Sequence, residues 1–441
     1  MYSVTEQSFG PGGPLRGDTA VPGDKSISHR ALMLSALAAG ESRIEGLSSG
    51  HDVRSTAEAL RRMGVGIEPS GNGIWQVRGV GPGGLRAPGE PLDMGNSGTS
   101  TRLLMGLVAS HSLSATFIGD SSLSRRPMER VAGPLRTIGA TIMASAGGTL
   151  PLTIQGIAPA IPRHHRLTVA SAQVKSALLL AGLNTPGTTR VTEPVRTRDH
   201  SERLLACFGA PIRVDEDEGG GRTIAITGPV ELSAQNLSIP GDPSSAAFLA
   251  VAALIVPGSD ILIRNVCVNP LRMGLFEALM RMGGDIVLSN QHERDGEPVA
   301  DLRIRHSRLE AVDIPPDAVP SMIDEFPIFF IAAAFAEGTS RTSGLRELRV
   351  KESDRIAAMA EGLRSIGVGI SENEDGLIIA GSGGAMLGGG ATIASRLDHR
   401  IAMSFAVAGL NCREPVTIDD MAPVDTSFPG FRETLKGLQN A

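Results

Sequence analysis

The stretch VPGDKSISHRALMLSALAAG, from Val21, and the stretch IPGDPSSAAFLAVAALIVPG, from Ile239, align without a gap at an offset of 218 residues. Pro-Gly-Asp, a serine, an Ala/Leu-rich run and a closing Gly recur in register. Arg-Met-Gly then returns at Arg62-Met63-Gly64 and Arg281-Met282-Gly283. A chain that repeats itself across its two halves is expected to fold as two similar bodies. Each half divides again, with units beginning near Gly23, Gly95, Ala170, Gly241, Ser321 and Arg396, spaced by 72, 75, 71, 80 and 75 residues. A unit opens on cap-forming polar residues and runs into a helix of small apolar residues. A turn, a short strand and an amphipathic helix such as SDRIAAMAEGLRSIG follow. Five units then close on Gly and a short strand, while the sixth ends the chain at its second helix. The period exceeds that of open solenoids, so closed α/β domains of three units each are expected. The expected boundaries are residues 23–240 for one domain and 1–22 plus 241–441 for the other.

Aromatic residues are only 3% of the chain and apolar residues 41%, so the core must come from many Ala-, Leu-, Ile- and Val-rich elements. A net charge of -6 gives no global basic surface for nucleic acid or an anionic membrane. Any anion site must therefore arise by local clustering. Cys207, Cys267 and Cys412 are far apart and show no metal-ligand spacing, which fits a reducing compartment. The opening MYSVTEQSFGPGG has neither an apolar signal core nor an Arg-rich pattern, and the apolar runs at 246–256 and 328–336 are too short to span a bilayer. A cytoplasmic monomer without nucleic-acid or membrane partners is expected. The loops DEDEGGGR, from Asp215, and NQHERDGEP, from Asn290, read as exposed hairpin connections.

Polar clusters fall where the buried helices begin, and a helix N-terminus offers unpaired N–H groups and partial positive charge to a phosphate or carboxylate. Six such ends, three per domain, are expected to face one inter-domain cleft. Lys25, Ser26 and Arg30 form the first cluster, with Ser26 and Arg30 four apart on one helical face. Asn96-Ser97-Gly98-Thr99 lets a ligand approach the backbone closely, and Ser171-Ala172-Gln173 supplies hydroxyl and amide donors. Arg126 stands before Pro127, read as starting a helix. The second half contributes Asp324, Lys351-Glu352 with Arg355, and His399-Arg400; a helical 351–355 stretch would point Lys351 and Arg355 the same way.

Each cluster has a plainer reading. Isolated Lys and Arg are ordinarily solvated, Ser, Asp and Asn at such positions are ordinarily N-caps, and Asp324 would serve as the cap of PIFFIAAAF. Recurrence at equivalent repeat positions favours the functional reading. Two motifs are set aside. Gly79-Val80-Gly81-Pro82-Gly83-Gly84 runs into a loop rather than a helix, and Gly23-Asp24-Lys25-Ser26 lacks the upstream glycine of a P-loop. No nucleotide cofactor and no metal is expected.

The segments PGDKSISHRAL, GNSGTSTRLLMGL, RRPM, SAQVKSALLLAGL, EPVRTRDH, PGDPSSAAF, SMIDEFP, LRVKESDR and LDHRIAMSF, from about residue 21 to residue 430, together resemble the EPSP synthase family, the 3-phosphoshikimate 1-carboxyvinyltransferases. The resemblance implies two domains of three βαβαββ units closing over substrate. It also implies transfer of the enolpyruvyl group of phosphoenolpyruvate to the 5-hydroxyl of 3-phosphoshikimate, with phosphate released. Carried over, Lys25, Ser26, Arg30, Ser171, Ala172, Gln173, Arg198, Asp324 and Lys351 would hold 3-phosphoshikimate. Lys25, Gly98, Arg126, Gln173, Arg355 and Arg400 would surround phosphoenolpyruvate. Asp324 would take the hydroxyl proton, and either Glu352 or Lys25 would protonate the methylene carbon. Seven cations (Lys25, Arg30, Arg126, Arg198, Lys351, Arg355 and Arg400) would face roughly five to six negative charges on the two substrates.

The chain departs from the family pattern in two places. A lysine common before the C-terminal Thr-Phe-Pro is absent from Val424-Asp425-Thr426-Ser427-Phe428-Pro429, and Leu103 stands where many relatives have Pro. Gly98, where glyphosate-resistant relatives often carry Ala, implies sensitivity to glyphosate. The sister transferase acting on UDP-N-acetylglucosamine typically has a reactive Cys within the loop that reads SSLSRRPMER here, where no Cys occurs.

Overall fold

A helix that is apolar on nearly every face has to be enclosed, and six helices of this chain are of that kind. In the computed structural model, which describes residues 5–71, 73–217 and 219–440, they are Lys25–Leu37, Gly98–Ala109, Ala172–Leu183, Pro243–Ile255, Phe326–Phe335 and His399–Gly409. Every residue of Pro243–Ile255 and of Phe326–Phe335 is buried. No single helix among the described residues is long and apolar enough to cross a membrane.

Five of the six are started by a side-chain cap, which gives one orphan N–H a partner. Asp24 Oδ1 accepts from the Ile27 amide at 2.8 Å, Ser97 Oγ from Ser100 at 3.2 Å and Ser171 Oγ from Val174 at 3.4 Å. Asp242 Oδ1 accepts from Ser244 at 2.8 Å and Asp398 Oδ1 from Arg400 at 3.0 Å. Phe326–Phe335 is the exception. Glu325 precedes it in helical conformation and makes no capping bond, because the short helix Val319–Met322 already carries the chain into it. Asp324 is therefore not a cap.

The strands repeat one pattern. Leu92–Asp93 runs parallel to Ser114–Ile118, which pairs antiparallel with Thr149–Gln155, which pairs antiparallel with Thr141–Ser145. Taken with their two helices, these strands make a βαβαββ unit. The same order holds for His164–Arg166, Gly187–Glu193, Arg222–Gly228 and Ile212–Glu216. It holds again for Asp313–Ile314, Thr339–Thr342, Gly376–Ala380 and Gly369–Asn373. In two sheets the parallel edge strand comes from far away in sequence. Asn236–Ser238 completes the sheet of Glu41–Glu45, and Arg16–Ala20 completes that of Asp260–Cys267. The sixth sheet pairs Thr392–Ile393 parallel with Val416–Ile418 and is closed by the N-terminal strand Gln7–Phe9. Phe431–Gln439 is that unit's second helix and the last element in chain order, as expected, and the strand that closes the unit comes from the opposite end of the chain.

The chain divides into two units. One comprises Gly23–Ile239 with Arg294–Glu297; the other comprises Met1–Pro22, Pro240–Glu293 and Pro298–Ala441. In the first, Gly98–Ala109 packs on Ala172–Leu183 and Lys25–Leu37. A Cβ on Gly106 would lie 2.1 Å from the Ala177 carbonyl oxygen, so glycine sets that helix approach. In the second, Pro243–Ile255, Phe326–Phe335 and His399–Gly409 pack on one another.

Three local expectations are corrected. Residues 290–298 are not a loop: Asp285–Arg294 and Glu297–Arg305 are neighbouring strands, and only Asp295-Gly296 turns, both residues at positive φ. The 351–355 stretch is not helical, because Asp354 caps a helix that starts only at Arg355, and Lys351 ends the preceding 3-10 turn. The helix after Pro127 starts at Glu129, and Arg126 ends the 3-10 turn Leu123–Arg125. The hairpin at 215–222 joins Ile212–Glu216 to Arg222–Gly228; its residue Glu218, like residues 1–4 at the amino end, lies outside the described residues.

Candidate active site

The first unit gathers cations at helix starts. Lys25 is the first residue of its helix, and its Nζ lies 3.1 Å from Asp52 Oδ2. Arg30, one turn on from Ser26, is buried and folds back so that Nη1 donates to the Ser26 carbonyl at 2.8 Å. Its Nε donates to Ser201 Oγ and its Nη2 to Ser176 Oγ, both at 2.7 Å. Burial lowers the Arg30 pKa to about 10; Glu202 and Asp24 oppose the shift, and the nearby cation Arg198 adds to it. Arg30 therefore stays charged at neutral pH, with a second guanidinium close by, an arrangement suited to an anion. His29, buried beside Thr56 Oγ1 at 2.8 Å, is held well below its usual pKa by burial, then by Lys25 and Arg30.

A second cluster of that unit surrounds Gly98, the first residue of its helix. A Cβ built there would lie 2.7 Å from Arg102 Nη1 and 3.2 Å from Arg126 Nη1, so two guanidiniums crowd one helix N-terminus. Arg126 is held by Asn96, Nη2 donating to Oδ1 at 2.5 Å and Nη1 to the carbonyl at 3.3 Å. Gln173 is fixed at both ends of its amide. Oε1 accepts from Arg102 Nη1 and Nε2 donates to Thr99 Oγ1, each at 3.0 Å. Ser171 caps the helix that begins at Ala172, and Arg198 is half-buried in the loop before His200–Cys207.

The second unit brings Asp324, Lys351, Glu352, Arg355 and Arg400 into one cluster. Asp324 Oδ1 lies 3.5 Å from Lys351 Nζ and 3.7 Å from Arg355 Nη1. Arg400 Nη1 donates to the Asp324 carbonyl at 2.7 Å. Arg355 is fully buried; Nε donates to Asp398 Oδ2 at 2.8 Å and Nη2 to Glu352 Oε2 at 2.7 Å. Although burial opposes its charge, Asp398, Glu352 and Asp324 raise its pKa overall, so it is a permanent cation. His399 is the first residue of its helix and is buried.

Sequence reasoning missed Arg102, Asp52, Glu325 and Asp398. Arg102 had a signal, standing four residues after Gly98 on the same helix. Asp398 was visible only as a cap, yet it also holds Arg355. Nothing local marked Asp52 as the counter-ion of Lys25, or Glu325 as that of Arg400, whose Nη1 lies 3.4 Å from Glu325 Oε1.

The fold has counterparts among solved structures. The enolpyruvyl transferase NikO from Streptomyces tendae matches it with a TM-score of 0.77 over 99% of this chain and 98% of that one, at 18% identity. The two chains share one architecture. An EPSP synthase structure from Acinetobacter baumannii matches with a TM-score of 0.86 and 46% identity, covering 98% of both chains. The family model for EPSP synthase (3-phosphoshikimate 1-carboxyvinyltransferase) matches residues 10–435. The 3-phosphoshikimate 1-carboxyvinyltransferase of Sphingopyxis alaskensis is 62% identical over 99% of both chains. That of Zymomonas mobilis is 62% identical over 96% of this chain and 94% of its own. The chain belongs to the EPSP synthase family and is an enolpyruvyl-transferring enzyme of the shikimate pathway.

Proposed function

We propose that the residues of both units serve one reaction, in which the 5-hydroxyl of 3-phosphoshikimate attacks C2 of phosphoenolpyruvate. In this reading Lys25, Ser26, Arg30, Ser171, Ala172, Gln173, Arg198, Asp324 and Lys351 hold 3-phosphoshikimate. Lys25, Gly98, Arg126, Gln173, Arg355 and Arg400 hold phosphoenolpyruvate. The observation that carries the reading is the Asp324 cluster, where Lys351, Arg355 and Arg400 converge on one acidic residue. Asp324 takes the hydroxyl proton as the new C–O bond forms. Glu352 or Lys25 protonates the methylene carbon, giving a tetrahedral ketal. Phosphate then leaves C2 as the new methyl group loses a proton, which restores the carbon–carbon double bond. The cations offset substrate charge before any bond changes, so little reorganisation is needed in the transition state. The enzyme is read as cytoplasmic, which its scattered, unpaired cysteines support.

Phosphate release from 3-phosphoshikimate and phosphoenolpyruvate tests the reaction, with UDP-N-acetylglucosamine as the acceptor expected to fail. Asp324→Ala is expected to lower kcat by about 10²–10⁴-fold, the usual contribution of a general base. Turnover near that of the unaltered chain would remove Asp324 from the chemistry.

A further inference from the structure

Four charged side chains lie together inside the first unit, two of them in the opening turns of Ala172–Leu183 and His200–Cys207. Lys175 and Glu193 are fully buried, and Glu202 and Arg222 nearly so. Lys175 Nζ lies 3.1 Å from Glu193 Oε1 and 2.8 Å from Glu202 Oε1. Arg222 reaches the same two oxygens, Nε at 2.6 Å from Glu193 and Nη2 at 3.1 Å from Glu202. The charges balance. Burying them carries a desolvation cost that well-packed apolar side chains would avoid, so stability alone does not explain the set.

The bonds of the network converge on one residue. The Thr197 amide donates to Glu193 Oε1 at 3.2 Å and its hydroxyl to Glu193 Oε2 at 2.5 Å. Its carbonyl accepts from Arg222 Nη2 at 2.8 Å and from Lys175 Nζ at 3.4 Å. Every polar group of Thr197 is thus engaged, and the next residue is Arg198. On the outer side of the loop, Pro194, Val195 and Arg196 are exposed and offer little packing. Lys175 lies two residues after Gln173, and Ser176 and Ser201 meet at 2.7 Å while both accept from Arg30. One network therefore joins the start of Ala172–Leu183 to the loop of Arg198 and the helix His200–Cys207.

We propose that Lys175, Glu193, Glu202 and Arg222, acting through Thr197, are positioning residues that hold Arg198 in register with Ser171, Ala172 and Gln173 for 3-phosphoshikimate. The inference rests on the reading above, in which those four residues bind that substrate. The network touches none of the proposed phosphoenolpyruvate contacts except Gln173, and that only through the shared helix. Loosening it is therefore a defect in one substrate.

The test is Thr197→Val in the full-length chain, which removes the hydroxyl tether without burying an unpaired charge, with Thr197→Ser as the conservative rescue. KM for 3-phosphoshikimate is expected to rise about threefold to tenfold, less than the full worth of one hydrogen bond to a charged group because Thr197 acts on the substrate only through Arg198. KM for phosphoenolpyruvate and kcat are expected to stay within about twofold, and Thr197→Ser to return the first KM to its original value. Glu193→Gln, checked for folding by its melting temperature, should show the same split. Equal rises in both KM values, a fall in kcat alone, unchanged kinetics, or failure of serine to rescue would each overturn the proposal. Phosphate release by the unaltered chain tests the reading on which the proposal rests, so the two fail separately.

Discussion

Gly98 shows how much a single residue decides at a helix start. Its missing side chain leaves room at a helix start where Arg102 and Arg126 both approach, and a Cβ would sit 2.7 Å from the first and 3.2 Å from the second. A compact phosphonate that competes for this space, such as glyphosate, is expected to inhibit competitively against phosphoenolpyruvate. In Gly98→Ala the inhibition constant should rise by roughly tenfold or more, because a single methyl in a fitted pocket discriminates by about that much. An inhibition constant already in the high millimolar range for the unaltered chain would refute the first half of this expectation. Lys25, Arg30 and Arg126 were legible as candidate anion ligands because the sequence reads each of them beside a helix start. Arg102 was not singled out, since an arginine inside a helix is ordinarily a surface charge.

At the scale of the element, the buried helices were the most legible part of the fold, because capping and apolar periodicity are properties of neighbouring residues. Their mutual approach was not legible. Gly106 reads as an unfavourable residue in mid-helix, yet a Cβ there would overlap the Ala177 carbonyl at 2.1 Å. Gly106→Ala gains about 1 kcal/mol of helix propensity and must push two packed helices apart, an overpacking cost of about 1–3 kcal/mol. A net loss of stability is expected, measured as a lower urea midpoint; a midpoint equal to or above that of the unaltered chain would show that the helices can yield. The Lys351–Arg355 stretch failed as a helix for an equally physical reason. Asp354 is a better cap than interior residue, so the helix begins after it, and the two cations meet at Asp324 without a shared helical face.

At the scale of the molecule, buried histidines of the first unit are expected to weaken the fold in acid. Burial lowers the pKa of His29, His111 and His165, the last to about 4. The unfolded chain takes up these protons below about pH 6.5 while the folded chain does not, so stability is complete above that pH and declines as pH falls. His29→Gln is expected to reduce the loss between pH 7.5 and pH 5 by up to about 2 kcal/mol, read from urea midpoints at the two pH values. An unchanged loss would place its origin elsewhere. The same division by scale separates what the sequence determined from what the tertiary structure decided. The duplication, the six units, the buried helices and the residues at their starts were written in the sequence, because spacing, capping and hydrophobic period act locally. The partners were decided by the fold: Asp52 for Lys25, 27 residues away; Asp398 for Arg355, 43 residues away; and the distant strands that complete the first, fourth and sixth sheets. A counter-ion is selected by nearness in space, and nearness between distant residues exists only once the chain has packed.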